Sequence, residues 1–214
     1  MDSLPKSATL FSLAKFIGIF APTMYCGITA QCRPLARSNL LTANPGFTLS
    51  DSATFVMPIV THAPNQKIMA KQWYHGYSYG PYWVPPLVAP GTLSNVYLAL
   101  MASDVVQRNC YIAAALGAFS ILPITFFYME PGINGASKWK VESLLKDEGF
   151  SMPATSIFVP SSVKHGSTNA SKKWADQADM KDLIKYWQSV NNVRWVIGGV
   201  AATLSGYATF ALGS

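Results

Sequence analysis

His75 lies in WYHGYSYGPYW, residues 73–83, where six of the eleven side chains are Trp or Tyr. An imidazole exchanges its proton near neutral pH, which suits it to act as a general base. The rings beside it, Trp73 and Tyr74 first among them, offer flat apolar faces with polar edges. The segment carries no formal charge, and its two glycines and one proline argue against a regular helix. Two further polar groups stand at the ends of apolar runs. They are Tyr128, Glu130 and Asn134 in FFYMEPGIN, and Trp187, Asn191 and Arg194 in WQSVNNVRW. A site for a flat, apolar, phenolic ligand needs rings to stack on, a base, and a cation to hold developing negative charge.

Other chemistries have no visible home. The only histidines are His62, His75 and His165, with no pair at i,i+4, no HExxH and no Cys/His cluster, so no metal site is expected. Gly132-Ile133-Asn134-Gly135 and Gly198-Gly199 match neither the dinucleotide nor the phosphate-loop pattern, and GxSxG is absent. An enzyme built this way is expected to need no cofactor and to use acid-base and electrostatic tools. Cys26, Cys32 and Cys110 form no CxxC and read as small buried thiols. The net charge of +6 includes one adjacent basic pair, Lys172–Lys173, and no basic run, so nucleic acid is not an expected partner.

The elements that must position these residues are hydrophobic. Charged residues make up 12% of the 214-residue chain, about half the usual share, and apolar residues 50%. Four apolar segments stand out. Residues 110–129 run twenty positions without a charge, the length that crosses a hydrocarbon core of roughly 30 Å. Residues 195–212 are also uncharged, and Gly198, Gly199, Ala202, Gly206 and Ala208 would let another helix approach. Residues 8–31 contain one charge, Lys15, placed to snorkel; read otherwise, they are a cleaved signal peptide with Ile28-Thr29-Ala30 at its end. Residues 84–102 are interrupted by Pro85, Pro86, Pro90 and Gly91, which predicts a helix from near Thr92 after an irregular start.

The expected fold is all-α: one integral membrane domain over 1–214, a four-helix transmembrane bundle. Its two long loop connections, 32–83 and 130–194, are expected on one membrane side. Nine of the 16 Lys and Arg residues fall in 138–194 and four in 33–71, which places those connections on the cytoplasmic side; the expected membrane is the endoplasmic reticulum or another endomembrane. The sequon Asn169-Ala170-Ser171 then goes unused. In the second connection, 138–148 predicts a short amphipathic helix ending at Gly149, and 150–170 an irregular loop. From Ser171, read as an N-cap, one helix is expected to run into the last span. Met180, Ile184, Trp187, Asn191 and Arg194 then share a face that turns polar near the bilayer. Read structurally, Asn191 caps a neighbour and Arg194 snorkels; read functionally, both face the ligand.

The order and spacing of these motifs resemble the fungal anthrone oxygenase family, small multi-pass membrane proteins of polyketide pathways. Pro123 and Thr125 match its proline-threonine third helix. Pro131 and Asn134, with one extra residue between them, match its Pro-x-Asn. Trp187, Asn191, Val193 and Arg194 match its W-x-x-x-N-x-V-R, and Trp73, Tyr74 and His75 its tryptophan-tyrosine segment. The likeness covers the first hydrophobic helix and the chain from about Trp73 onward; 38–72 and 150–170 fall outside it.

The resemblance implies oxidation of an anthrone by O₂ to the anthraquinone and water, with no cofactor, at a membrane. Its methylene is doubly benzylic, and the anion left by proton loss can reduce O₂ directly. On this reading His75 is the base, Arg194 holds the enolate and peroxide charge, and Asn191 orients an oxygen. Trp73, Tyr74 and Trp187 sandwich the rings, with Tyr128, a possible proton donor, and Asn134 completing the binding set. Glu130 is the alternative base if desolvated, and otherwise a solvated interfacial carboxylate. His62 and His165 read as loop residues. The rival reading is a non-catalytic scaffold or carrier of hydrophobic metabolites, in which the aromatic segment is an interfacial belt. A third, a secreted soluble domain, makes 110–129 a buried core helix.

Overall fold

The computed structural model describes residues 4–30, 55–152, 164 and 166–212. Among them there are helices and no strand, as the composition predicts. Among the described residues three stretches are long and apolar enough to cross a membrane: Ala8–Tyr25 in α1 (Leu4–Ala30), Val84–Met101 in α4 (Gly80–Met101), and one within Val105–Glu148, which begins with α5 (Val105–Pro123). The fourth expected span is helical as part of α8 (Met180–Phe210) but is not among them. Of the expected 195–212, α8 contains the residues up to Phe210.

Helix α4 corrects one expectation. Pro85, Pro86 and Pro90 lie inside a continuous helix instead of breaking it. Helices in an apolar bundle tolerate the lost amide bonds when neighbours close around them. Gly91 packs that tightly: a Cβ there would come within 3.0 Å of Pro22 on α1.

The aromatic segment corrects another. Helix α3 (Gln66–Tyr77) takes in its first five residues, and α4 begins at Gly80 after two intervening residues. Gly76 falls in the last turn, where its propensity penalty is about 1 kcal/mol at most. Pro81 sits in the first turn of α4, where a missing N–H costs nothing. Gly76 is also required sterically, because a Cβ would meet the Phe55 ring at 2.0 Å.

The connections expected as long loops hold α2 (Met57–His62), α3, α6 (Gly135–Leu145), a 3₁₀ turn (Lys146–Glu148) and α7 (Asn169–Gln177). His62 therefore ends a helix, while His165 lies outside the described residues. Gly149 terminates the 3₁₀ turn with φ of 77°, the left-handed conformation a glycine adopts freely. The single helix expected from Ser171 is two. Thr168 caps α7, sharing a reciprocal capping box with Ser171. The break that follows contains no proline or glycine. The Gln66 amide makes it: Nε2 donates to Asp179 Oδ1 (2.9 Å), and Oε1 accepts from the Met180 N–H (3.1 Å). A distant residue thus satisfies helix-end groups that local sequence leaves open.

The chain forms two compact units. The first comprises Met1–Cys26, Val84–Leu122 and Arg194–Ser214. Its interior mixes small residues, among them Ala14, Ala21, Ala114, Ala118, Ala201 and Ala208, with the buried Tyr25, Leu98, Tyr111 and Ile121. The second comprises Gly27–Trp83 and Pro123–Val193, around a core that includes Trp73, Met129, Ile133, Leu183, Ile184 and Trp187.

Candidate functional site

The second unit arranges its chemistry on two faces of α3. Trp73 and Tyr77, one turn apart, face inward; Lys71, Tyr74, His75 and Ser78 face a surface cleft. Inside, Trp73 has no exposed surface. It stacks on Tyr77 with ring centroids 4.8 Å apart and meets the edge of Trp187 at 6.0 Å. Phe55 lies against the other side of Trp187 at 6.1 Å.

The inward face ends on a buried ion pair. Tyr77 hydroxyl donates to Glu130 Oε1 (2.5 Å), and Asn134 Nδ2 donates to the same oxygen (2.7 Å). Lys138 Nζ donates to Glu130 Oε2 (2.8 Å) and lies over the Tyr77 ring, 5.8 Å from its centroid. Lys138 has no exposed surface, and Glu130 almost none. The backbone that makes this possible is the π-helical segment Ile124–Asn134, bent at Gly132. Pro123 and Pro131 withhold amide donors there, which loosens the α-helical ladder. Glu130, Asn134 and Lys138 recur at intervals of four and converge on one side. The expectation of Glu130 as a solvated interfacial carboxylate is thereby corrected: it is desolvated and bonded on both oxygens.

The outward face lines an open cleft of about 510 Å³. Lys71, Tyr74 and His75 come from α3 and Ser78 from its C-cap; Leu145, Glu148, Gly149 and Phe150 come from the end of α6 and the turn after it. Tyr74 and Phe150 meet edge to face at 5.2 Å, and His75 meets Tyr79 likewise at 5.3 Å. Lys71 Nζ lies 2.5 Å from Glu148 Oε2, and Lys67 pairs with Asp147 beside it. His75 is exposed, while Tyr74 is half-buried. Burial pushes the Tyr74 phenol above its ordinary pKa, so it stays a hydrogen-bond donor.

A scan against protein-family models matches residues 73–204 to the anthrone oxygenase family. The chain belongs to that family. No curated protein and no solved structure matches it.

The family-like residues do not all gather at one point. Trp73 and Trp187 pack on each other, and Asn134 binds Glu130 in the same unit. Tyr74 and His75 line the cleft instead. The expected sandwich of Trp73, Tyr74 and Trp187 is thus divided, because helical spacing turns residues 73 and 74 to different sides. Asn191 is buried, and its Nδ2 donates to the Trp187 carbonyl one turn back (3.1 Å). Arg194 is buried too, in the portion of α8 that belongs to the first unit. Tyr128 is 57% exposed, with its hydroxyl 3.4 Å from that of Tyr186.

Tyr77, Lys138, Lys71 and Phe150 are partners that sequence reasoning missed. The run EPGINGASK does carry the signal, with Glu, Asn and Lys at i, i+4 and i+8. Two glycines and a proline between them mask its helical period.

Proposed function

We propose that this member of the family oxidises a polyketide anthrone to the anthraquinone with O₂ at the outer face of α3. The observation that carries the reading is the cleft, which joins a base, aromatic walls and a cation in one ring-sized space. Small-ligand pockets span about 300–1,000 Å³, so its volume suits a tricyclic aromatic. The family match supplies the substrate class. Glu130 is a poorer base, since both its oxygens are already engaged behind the helix.

The steps follow from the lining. With the substrate against Tyr74 and Phe150, the doubly benzylic C–H gives its proton to the His75 imidazole. Lys71 turns from Glu148 to the phenolate that forms, taking the role that the sequence reading gives Arg194. The anion passes one electron to O₂, and the two radicals combine at the benzylic carbon. The peroxide anion takes the proton back from imidazolium. His75 then removes the second benzylic proton as the O–O bond breaks and the carbonyl forms. The departing hydroxide receives that proton and leaves as water, so one anthrone and one O₂ give one anthraquinone and one water.

The test is quinone formation from emodin anthrone by the detergent-purified chain, in air and under argon, with no cofactor added. Matched empty membranes and His75→Ala run beside it, because anthrones oxidise slowly unaided. The expected result is oxygen-dependent quinone well above empty membranes, and loss of that excess in His75→Ala. Equal turnover in the variant keeps the enzyme and removes His75 from it. No excess from folded protein, over several anthrones, leaves a non-catalytic carrier as the better reading.

A further inference from the structure

The proposed chemistry makes no use of the buried Glu130–Lys138 pair in the second unit. We infer that this pair is a positioning device: through Tyr77 it fixes the rotation and height of α3, and so aims Tyr74 and His75 into the cleft. Its effect on turnover rests on the cleft reading; its hold on the helix does not.

Three observations carry the inference. First, the contact is directional. Tyr77 reaches Glu130 at 2.5 Å while its ring is stacked flat on Trp73, with the two planes 10° apart. A hydroxyl bond fixes where the helix points, which a greasy contact alone does not. Second, the pair is walled in. A Cβ at Gly166 would lie 3.4 Å from Lys138 Nζ, and one at Gly135 2.9 Å from the Glu130 carbonyl oxygen. Ser167 Oγ donates to the Gly135 carbonyl (2.9 Å), holding that cover in place. Third, burying two charges is a poor way to gain stability, because desolvation offsets much of their attraction. What the pair supplies is geometry. His75 and Tyr77 sit two residues apart on one helix, so a rotation that frees Tyr77 must carry His75 with it.

The experiment uses the full chain in detergent. Glu130→Gln/Lys138→Met keeps side-chain size and leaves no buried charge. The thermal midpoint is expected near wild type. Hydrogen exchange of the α3 amides should rise about tenfold while that of α7 stays unchanged. Turnover should fall about tenfold or more in kcat, with KM within roughly twofold, as expected for a misaimed base. Wild-type exchange in α3 of the folded double variant overturns the inference, whatever happens to turnover. Should that variant not fold, Tyr77→Phe removes one hydrogen bond and keeps both charges and the ring stack. It should speed α3 exchange a few-fold, and unchanged exchange again overturns the inference. If the wild-type chain turns over no anthrone, exchange still decides the positioning role, and only the cleft reading fails.

Discussion

Two buried polar groups, one from each unit, differ in kind. In the first unit, Asn95 has no exposed surface and carries no charge. Its Nδ2 donates to the Gly18 carbonyl on α1 (3.1 Å) and to the Gly91 carbonyl on its own helix (2.9 Å). Small residues surround it: a Cβ at Gly18 would lie 3.3 Å from both Asn95 Nδ2 and Ser205 Oγ. In the second unit a buried carboxylate meets an ammonium and is bonded by Tyr77 and Asn134, with the Tyr77 ring stacked on Trp73. A neutral amide among glycines lets helices touch and satisfies their backbone. An ion pair among large rings does something else, since it orients one helix against its neighbours. On the proposed reading, the amide of the first unit serves packing and the ion pair of the second serves the site.

The sharpest way to break that contrast is at His75. His75→Ala should lower anthrone turnover by about 10²–10⁴-fold, the range of a lost general base. The thermal midpoint should not move, because the side chain is exposed. A variant with a lowered thermal midpoint but unchanged turnover per folded molecule would reverse the assignment of chemistry and packing.

Next in size is Lys138→Met alone. It leaves Glu130 buried without its cation, at a cost of about 3–5 kcal/mol in unfolding free energy. Adding Glu130→Gln should return most of that, because no unpaired charge then remains. Chemical denaturation of the single and double variants reads the difference. Equal losses in both would show that the charges are not coupled as their 2.8 Å contact implies.

Asn95→Leu tests the other side of the comparison, with a smaller effect. Two hydrogen bonds are lost in a unit of small, close helices, so the expected destabilisation is about 1–2 kcal/mol. Turnover per folded molecule should stay as it was. A selective loss of turnover without loss of stability would bring the first unit into the chemistry.

How much was legible from sequence follows from where the information sits. The helical class and three apolar stretches could be read from composition and length. The stripe Met180, Ile184, Trp187, Asn191 and Arg194 could be read from its period, and all five are buried. Helix α3 could not, because glycine and proline were weighed as breakers without their positions in the last and first turns. The break before α8 was hidden for a different reason, since the residue that makes it, Gln66, lies more than a hundred positions upstream. Glu130 was misjudged because sequence places it at the end of an apolar run but does not show what covers it. Burial there depends on Tyr77 and Lys138 arriving from either side.

The smallest effect is expected at Tyr128, and it separates the sequence reading of a proton donor from the geometry. Tyr128 is exposed, and its hydroxyl lies 3.4 Å from that of Tyr186. Tyr128→Phe should leave stability within about 0.5 kcal/mol and turnover within roughly twofold, as an exposed substitution does. Its signature lies instead in Tyr186, whose phenol is held above its ordinary pKa first by that hydrogen bond and then by the neighbouring charge it would feel. Removing Tyr128 removes both, so Tyr186 should ionise at lower pH. Ultraviolet titration of the tyrosinates in wild type, Tyr128→Phe and Tyr186→Phe resolves that shift. A downward shift with turnover intact leaves Tyr128 as a surface partner of α8. A large loss of turnover in Tyr128→Phe would instead place proton delivery on the π-helical segment and draw the reacting site away from the α3 cleft.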